Sequence, residues 1–385
     1  MKKILFVLSF FVFTLGFSQK VNDSIYSKKL NSTRKISLSL PPAYFEDKNR
    51  NYPLLLLLDG DYLHNPFQGA LSFGNYWDDL PEMIVVGINQ NQDEERFNDC
   101  SVSEDTGLPD KKGADFFDFI ESELLPYIAQ EYRPSPFKII AGHDLTAGFL
   151  NYFLYKDNPA FNAYISLSPE LQQDMGQHLL DKFSSIKKPI FYYLASADGD
   201  VKQMQLDITS LDESLKAVAL QNTNINYKYD DFKNSNHYSL VLHAVPSALY
   251  HIFASFQPIS SVEYQESIVT LPSGYVNYLK AKYEKTEKTL GYKVQARYND
   301  FKAIEAAIVK NKAFPEFEQL AQFASKMFPK TMLSEYYMGR FYEGGGDVKK
   351  ALKSFKNAYT QKAVGELTKD FIVSKIEELN AVDKK

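Results

Sequence analysis

The chain has 385 residues, a net charge of −5 at neutral pH and 44% hydrophobic residues. That length supports one sizeable core plus a smaller second unit, and mixed-sign charge without a long basic run argues against a nucleic-acid partner. A single cysteine, Cys100, excludes an internal disulfide and a cysteine-based zinc site.

The chain opens with Lys2 and Lys3, then an apolar run from Ile4 to Phe17, with Gly16 and Ser18 before a cleavage point. Residues 1–18 therefore read as a secretory signal peptide. The run is short for a membrane span. No cysteine follows it to carry a lipid. The mature protein is expected to be exported, periplasmic or secreted, with no membrane span once the leader is removed.

Strand-like and helical runs then alternate. Lys35–Leu40 alternates polar and apolar residues, the pattern of a half-exposed strand. Tyr52–Asp61 is a continuous apolar run ending in Asp-Gly-Asp, and Met83–Asn89 is a second such run; both read as strands buried on two faces. A helix is expected over Asp115–Tyr132, a strand over Lys138–Gly142, a helix over Leu145–Tyr155 and a strand over Phe161–Pro169. Pro189–Ala195 reads as a strand, Val201–Leu220 as a helix, Ile225–Asp230 as a strand and Leu240–Phe256 as a helix. This alternation predicts an α/β fold with a mostly parallel central sheet covered by helices on both faces.

Phe256–Ser261 reads as a boundary, giving a domain over 19–258 and an all-α region over 259–385. Within that region Gly339, Tyr342, Ala351, Phe355 and Ala358 fit the spacing of one tetratricopeptide repeat. One such repeat is too few for a free-standing solenoid, so the tail is expected to pack on the first domain or extend it, and to offer a surface to a protein partner.

The segment Lys138–Phe149, "KIIAGHDLTAGF", carries the chemistry. An apolar strand runs into Gly-His-Asp, and a helical pattern follows. Together with "YPLLLLLDGD", "VVGINQNQDEERFNDCSV" (holding Arg96 and Asp99), "FFDFIESELLPYIAQEYRP", "NPAFNAYISLSP" and "NHYSLVLHAVPSALYHIF", this ordered set resembles the putative-esterase family of α/β-hydrolases. That family includes siderophore and feruloyl-type esterases. The resemblance runs from about Lys35 to Phe256.

By position, the resemblance implies a nucleophile at Asp144 and a catalytic base at His237, with Asp198 or Asp200 orienting the base. Backbone donors for the oxyanion would come from Leu145 and from Gly60, Asp61 and Tyr62. The chain departs from the family in three places. Aspartate stands for serine at 144; Thr146 and Ala147 stand for two glycines; Gln172 and Gln173 stand where relatives carry tryptophans. A β-branched Thr146 in a crowded turn predicts a relaxed or rearranged elbow. His143 is expected to shape the turn, and Asp59 and Asp61 to serve turn chemistry. No metal or cofactor motif is legible, and the small-molecule partner implied is ester-like.

An aspartate at that position is a poor start for ester hydrolysis. Its attack on an ester gives an anhydride that collapses back, and its charge opposes the oxyanion that develops. The expectation is an esterase fold with ordinary serine-esterase activity lost or weak, kept for binding or assembly. The alternative is an active hydrolase with Asp144 as nucleophile at sp³ carbon and His237 as base. A third reading has His237 and Asp144 activating water without a covalent step.

Overall fold

The computed structural model describes residues 20–383. The expected leader lies outside the described residues. No helix among the described residues is long and apolar enough to cross a membrane.

One eight-stranded sheet organises the first two-thirds of the chain. Its strands are β1 (Val21–Ser27), β2 (Ser32–Ser39), β3 (Tyr52–Leu57), β4 (Ile84–Ile88), β5 (Pro134–His143), β6 (Ala163–Leu167), β7 (Ile190–Gly199) and β8 (Ile225–Asn236). They lie in the order β1-β2-β4-β3-β5-β6-β7-β8. β1 and β2 run antiparallel to their neighbours, and β3 through β8 are parallel. This is the α/β-hydrolase sheet that the resemblance implies.

The helices that matter for the site are α1 (Gly60–Tyr76), α2 (Glu95–Asp99), α3 (Lys112–Phe119), α4 (Leu125–Glu131), α5 (Leu145–Phe149), α6 (Met175–Ser185), α7 (Lys202–Gln221) and α8 (Leu240–Ile252). The helix expected over Asp115–Tyr132 is interrupted. α3 and α4 are joined by a π-helical turn, Ile120–Leu124. The helix expected to reach Tyr155 is α-helical only to Phe149 and continues as a 3₁₀ turn.

The Leu54–Leu58 run is buried throughout because it sits mid-sheet. Leu54, Leu56 and Leu58 join Ile84, Val86 and Ile88 in one core with Phe116 and Phe119 of α3, Leu179 and Phe183 of α6, and Leu211 and Leu215 of α7. Leu55, Leu57 and Val85 point to the opposite face and are equally buried.

β2 corrects the reading of Lys35–Leu40 as half-exposed. Ser37 and Ser39 are buried along with Ile36 and Leu38. Their hydroxyls are satisfied inside, Ser37 Oγ by Asn89 Oδ1 at 3.1 Å and Ser39 Oγ by His64 Nε2 at 3.4 Å. A small polar residue with a partner can face a covered side as readily as water.

The chain divides into two compact units, residues 20–72 with Glu82–Pro246, and Phe73–Pro81 with 247–383. The second holds six long helices, from Tyr275–Leu290 to Lys369–Asp383. Buried Asp300 organises its start, accepting from the Ile259 N–H at 2.8 Å and the Tyr283 hydroxyl at 2.7 Å. In the hairpin of Leu333–Gly344 and Val348–Tyr359, Gly339 lies directly under the Phe355 ring, where a larger residue would collide.

Candidate active site

β5 ends at His143, and the chain turns sharply at Asp144 before α5 begins. Asp144 has φ 61° and ψ −120°, a region sparsely populated by L-residues. The turn is clamped from the end of β6. Asp144 N–H donates to Leu167 O (2.9 Å), and Asp144 O accepts from the N–H groups of Gly148 and Glu170, both at 3.1 Å.

The elbow is therefore strained and intact, not relaxed, which overturns the expectation drawn from Thr146. The physical reason lies in the threonine hydroxyl. Thr146 is fully buried, and its Oγ1 donates to Asp59 Oδ2 at 2.6 Å while accepting from the His143 N–H at 3.0 Å. The hydroxyl is held by hydrogen bonds, so the β-branched side chain reinforces the bend.

β7 and β8 deliver the other two groups. Their pairing extends to Gly199 opposite Asn236, and Asp200 and His237 follow these two residues. A Cβ on Gly199 would lie 2.6 Å from Asn236 Cα, so only glycine permits this approach. His237 Nδ1 lies 2.7 Å from Asp200 Oδ1. The other oxygen of Asp200 accepts from Ser168 Oγ and from the Ala197 N–H, each at 2.8 Å. Asp198 points elsewhere. Its carboxylate takes the N–H groups of Asn234 (2.9 Å) and Ser235 (3.2 Å), fixing the arm that leads to His237. Of the two candidate acids, Asp200 meets the imidazole and Asp198 shapes the loop.

Burial pushes the Asp200 carboxyl upward, but the hydrogen bonds from His237, Ala197 and Ser168 outweigh it and hold the group below its ordinary range. The hydrogen bond to Asp200 raises the His237 pKa against partial burial, with Asp144 adding to the rise. Nε2 of His237 faces Asp144 Oδ1 at 3.8 Å, too long for a hydrogen bond but close enough for charge pairing.

Arg96, from α2, closes the other side. Both terminal nitrogens lie 3.4 Å from Asp144 Oδ2. Arg96 is anchored by Asp59, with Nε to Oδ1 at 2.7 Å and Nη2 to Oδ2 at 3.2 Å, and by His143 O at 2.9 Å. Asp59 is buried and has φ 55°. It is the hub of the elbow, gathering Arg96, Thr146 and the Tyr62 hydroxyl (3.0 Å). This goes well beyond the turn chemistry expected of it. His143 does more than shape the turn: its Nε2 lies 2.9 Å from His237 O, and its Nδ1 lies 3.0 Å from the Tyr62 hydroxyl oxygen. Burial, with His237 beside it, lowers the His143 pKa.

Of the expected oxyanion donors, Leu145 opens α5 and Gly60 and Asp61 open α1. The first N–H groups of a helix have no acceptor within it. Tyr62 differs, since its N–H is taken by Asp59 O at 3.2 Å and it joins the site by its hydroxyl. The Asp61 carboxylate accepts from the Gln90 N–H at 2.6 Å. Asp99 lies off the site, in a buried pair with Arg34 (2.6 Å), and burial pushes its carboxyl up to about 6. Among the described residues no group of three or more His, Cys, Asp or Glu side chains is arranged to hold a metal ion.

The roles of Asp59, Thr146 and Ser168 were not legible as chemistry. Asp59 stands in an Asp-Gly-Asp run that reads as turn chemistry, and Thr146 and Ser168 are single hydroxyl residues inside a short helix and after a buried strand.

The profile of the family described as Putative esterase matches residues 27–246. Among solved structures, an uncharacterised protein from Capnocytophaga ochracea DSM 7271 is 28% identical with a TM-score of 0.81, covering 94% of this chain and 100% of that one. An IroE-like serine hydrolase from Shewanella oneidensis is 20% identical with a TM-score of 0.61, covering 79% and 98%. The siderophore hydrolase EstB from Aspergillus nidulans is 14% identical with a TM-score of 0.50, covering 66% and 98%. The last two likenesses bear on the fold alone. No curated protein matches the chain.

Proposed function

Starting from a chain that belongs to the Putative esterase family, we propose that its ordinary serine-type esterase activity is lost or very weak and that the site is kept for binding. The observation that carries this reading is the Asp144 carboxylate held between Arg96 at 3.4 Å and His237 at 3.8 Å. A serine at this bend would give its proton to His237 and attack. The carboxylate has no such proton to give, and it places a negative charge beside the donors meant for an oxyanion. Each such change at an oxyanion site is worth on the order of 3 kcal/mol.

The ligand is an ester-like small molecule at this site, or a protein engaged through the helical unit, whose spacing from Gly339 to Ala358 resembles a tetratricopeptide repeat. Export through the N-terminal leader would put either ligand in the periplasm or outside the cell.

The test compares residues 19–385 of the wild type with Asp144→Ser on short p-nitrophenyl esters. Wild-type turnover should sit near background. Because Asp200, His237 and the strained bend are otherwise in place, Asp144→Ser should gain roughly 10²-fold or more in kcat/KM. Substantial wild-type turnover that disappears in His237→Ala would overturn the reading.

A second reading rests on a separate observation. Asp144 keeps a backbone conformation that costs roughly 1–3 kcal/mol, and His237 keeps its 2.7 Å acid partner. Both suit an aspartate that displaces a leaving group at sp³ carbon, followed by water attacking the Asp144 ester under His237. One oxygen from that water stays in the carboxyl group. A single turnover of an epoxide in heavy-oxygen water would then leave label in Asp144, read by mass spectrometry of its peptide.

A further inference from the structure

Ser168 follows β6 with φ 42° and is fully buried. That conformation disfavours a side chain, and glycine would adopt it freely. The backbone is fixed there by the Ser168 N–H on Ala195 O at 2.8 Å. The serine side chain makes one bond that glycine could not, from Oγ to Asp200 Oδ2 at 2.8 Å. We infer that Ser168 is a positioning residue: its hydroxyl locks the Asp200 carboxylate so that Oδ1 meets His237 Nδ1.

The two oxygens of Asp200 divide the work. Oδ1 faces the imidazole, and Oδ2 takes Ser168 and the Ala197 N–H. With both Oδ2 donors in place, the carboxylate plane is fixed from one edge and the imidazole is received at the other. The Ala197 N–H alone leaves the carboxylate free to turn about that single bond. The same hydroxyl stabilises the ionised form, in line with the depressed Asp200 pKa. The strain at Ser168 is thus a local cost tolerated for a bond that acts through Asp200 on His237.

This inference rests on Asp144, His237 and Asp200 forming one working unit, but its test does not use turnover. In the full chain, the His237 Nδ1–H held by Asp200 should give a slowly exchanging proton resonance far downfield of the amides. Ser168→Ala removes the hydroxyl and keeps the strained backbone; Ser168→Gly removes both. In each variant the resonance should broaden or vanish, and the Asp200 carboxyl titration should move up. Ser168→Gly should remain folded by its melting curve, because its backbone is unstrained. If either folded variant keeps the wild-type resonance and titration, Ser168 is a turn residue only and the inference fails. Absence of esterase activity, in wild type or in Asp144→Ser, would not touch this result.

Discussion

Asp59 and Thr146 show how one residue can hold a site that it does not serve directly. Asp59 is a buried carboxylate whose charge is met by Arg96 and by hydroxyl donors. Thr146→Val keeps the shape and removes one donor. Leaving a buried acceptor short costs about 1–3 kcal/mol, so the variant should lose that much stability in a urea titration. Equal stability would mean that the hydroxyl is a bystander. The Asp200–His237 pair also predicts a pH dependence. Asp200 is depressed in the fold, so its contribution is present above its unfolded pKa of about 3.9 and fades as pH falls through the folded value. His237 is raised, so its contribution is full below about 6.5 and fades as pH rises through its folded value. The stability advantage of wild type over Asp200→Asn should therefore be larger near pH 5.5 than near pH 9. Urea midpoints at the two values check it, and an advantage that grows towards alkaline pH would rule the pairing out.

The site depends on where strands stop. β5 ends in the bend, β7 ends in the acid and β8 ends in the imidazole. Parallel neighbours align these ends on one edge of the sheet, where α/β proteins place their ligands. Gly199 makes the last step possible by letting the β7 end approach Asn236. Gly199→Ala would force a Cβ within 2.8 Å of Ser235 O and push the His237 arm away. Overpacking against backbone of this kind costs about 1–3 kcal/mol. The variant should melt lower and should also lose the downfield His237 proton. A lower melt with that proton retained would show that the arm moves without disturbing the pair.

Two compact units share the chain unevenly. The Phe73–Pro81 segment groups with the helical unit, and within that unit Tyr250 bonds Asp79 (3.0 Å) and Arg297 bonds Asp78 O (2.9 Å). Removing residues 260–385 would strip Arg297 and its neighbours from this segment. The truncated protein should lose several degrees in melting temperature, at about 2–4 °C for each kcal/mol; an unchanged midpoint would show that the segment stands alone. The sequence by itself determined the parallel sheet, the bend at Asp144 and the histidine arm at His237. The sheet is written in local runs of about four to eight apolar residues, then a turn, then a helical period, whereas the roles of the bend and of the histidine arm came from the resemblance of the ordered blocks to the esterase family. It could not choose between Asp198 and Asp200, since two carboxylates flanking one glycine look alike until β8 reaches one with its backbone and the other with its imidazole. It also misjudged Thr146, because sterics are local whereas the hydroxyl's partner, Asp59, is far away in the chain. Tertiary structure alone decided these points, because a hydrogen bond depends on distance in space and sequence order carries no measure of it.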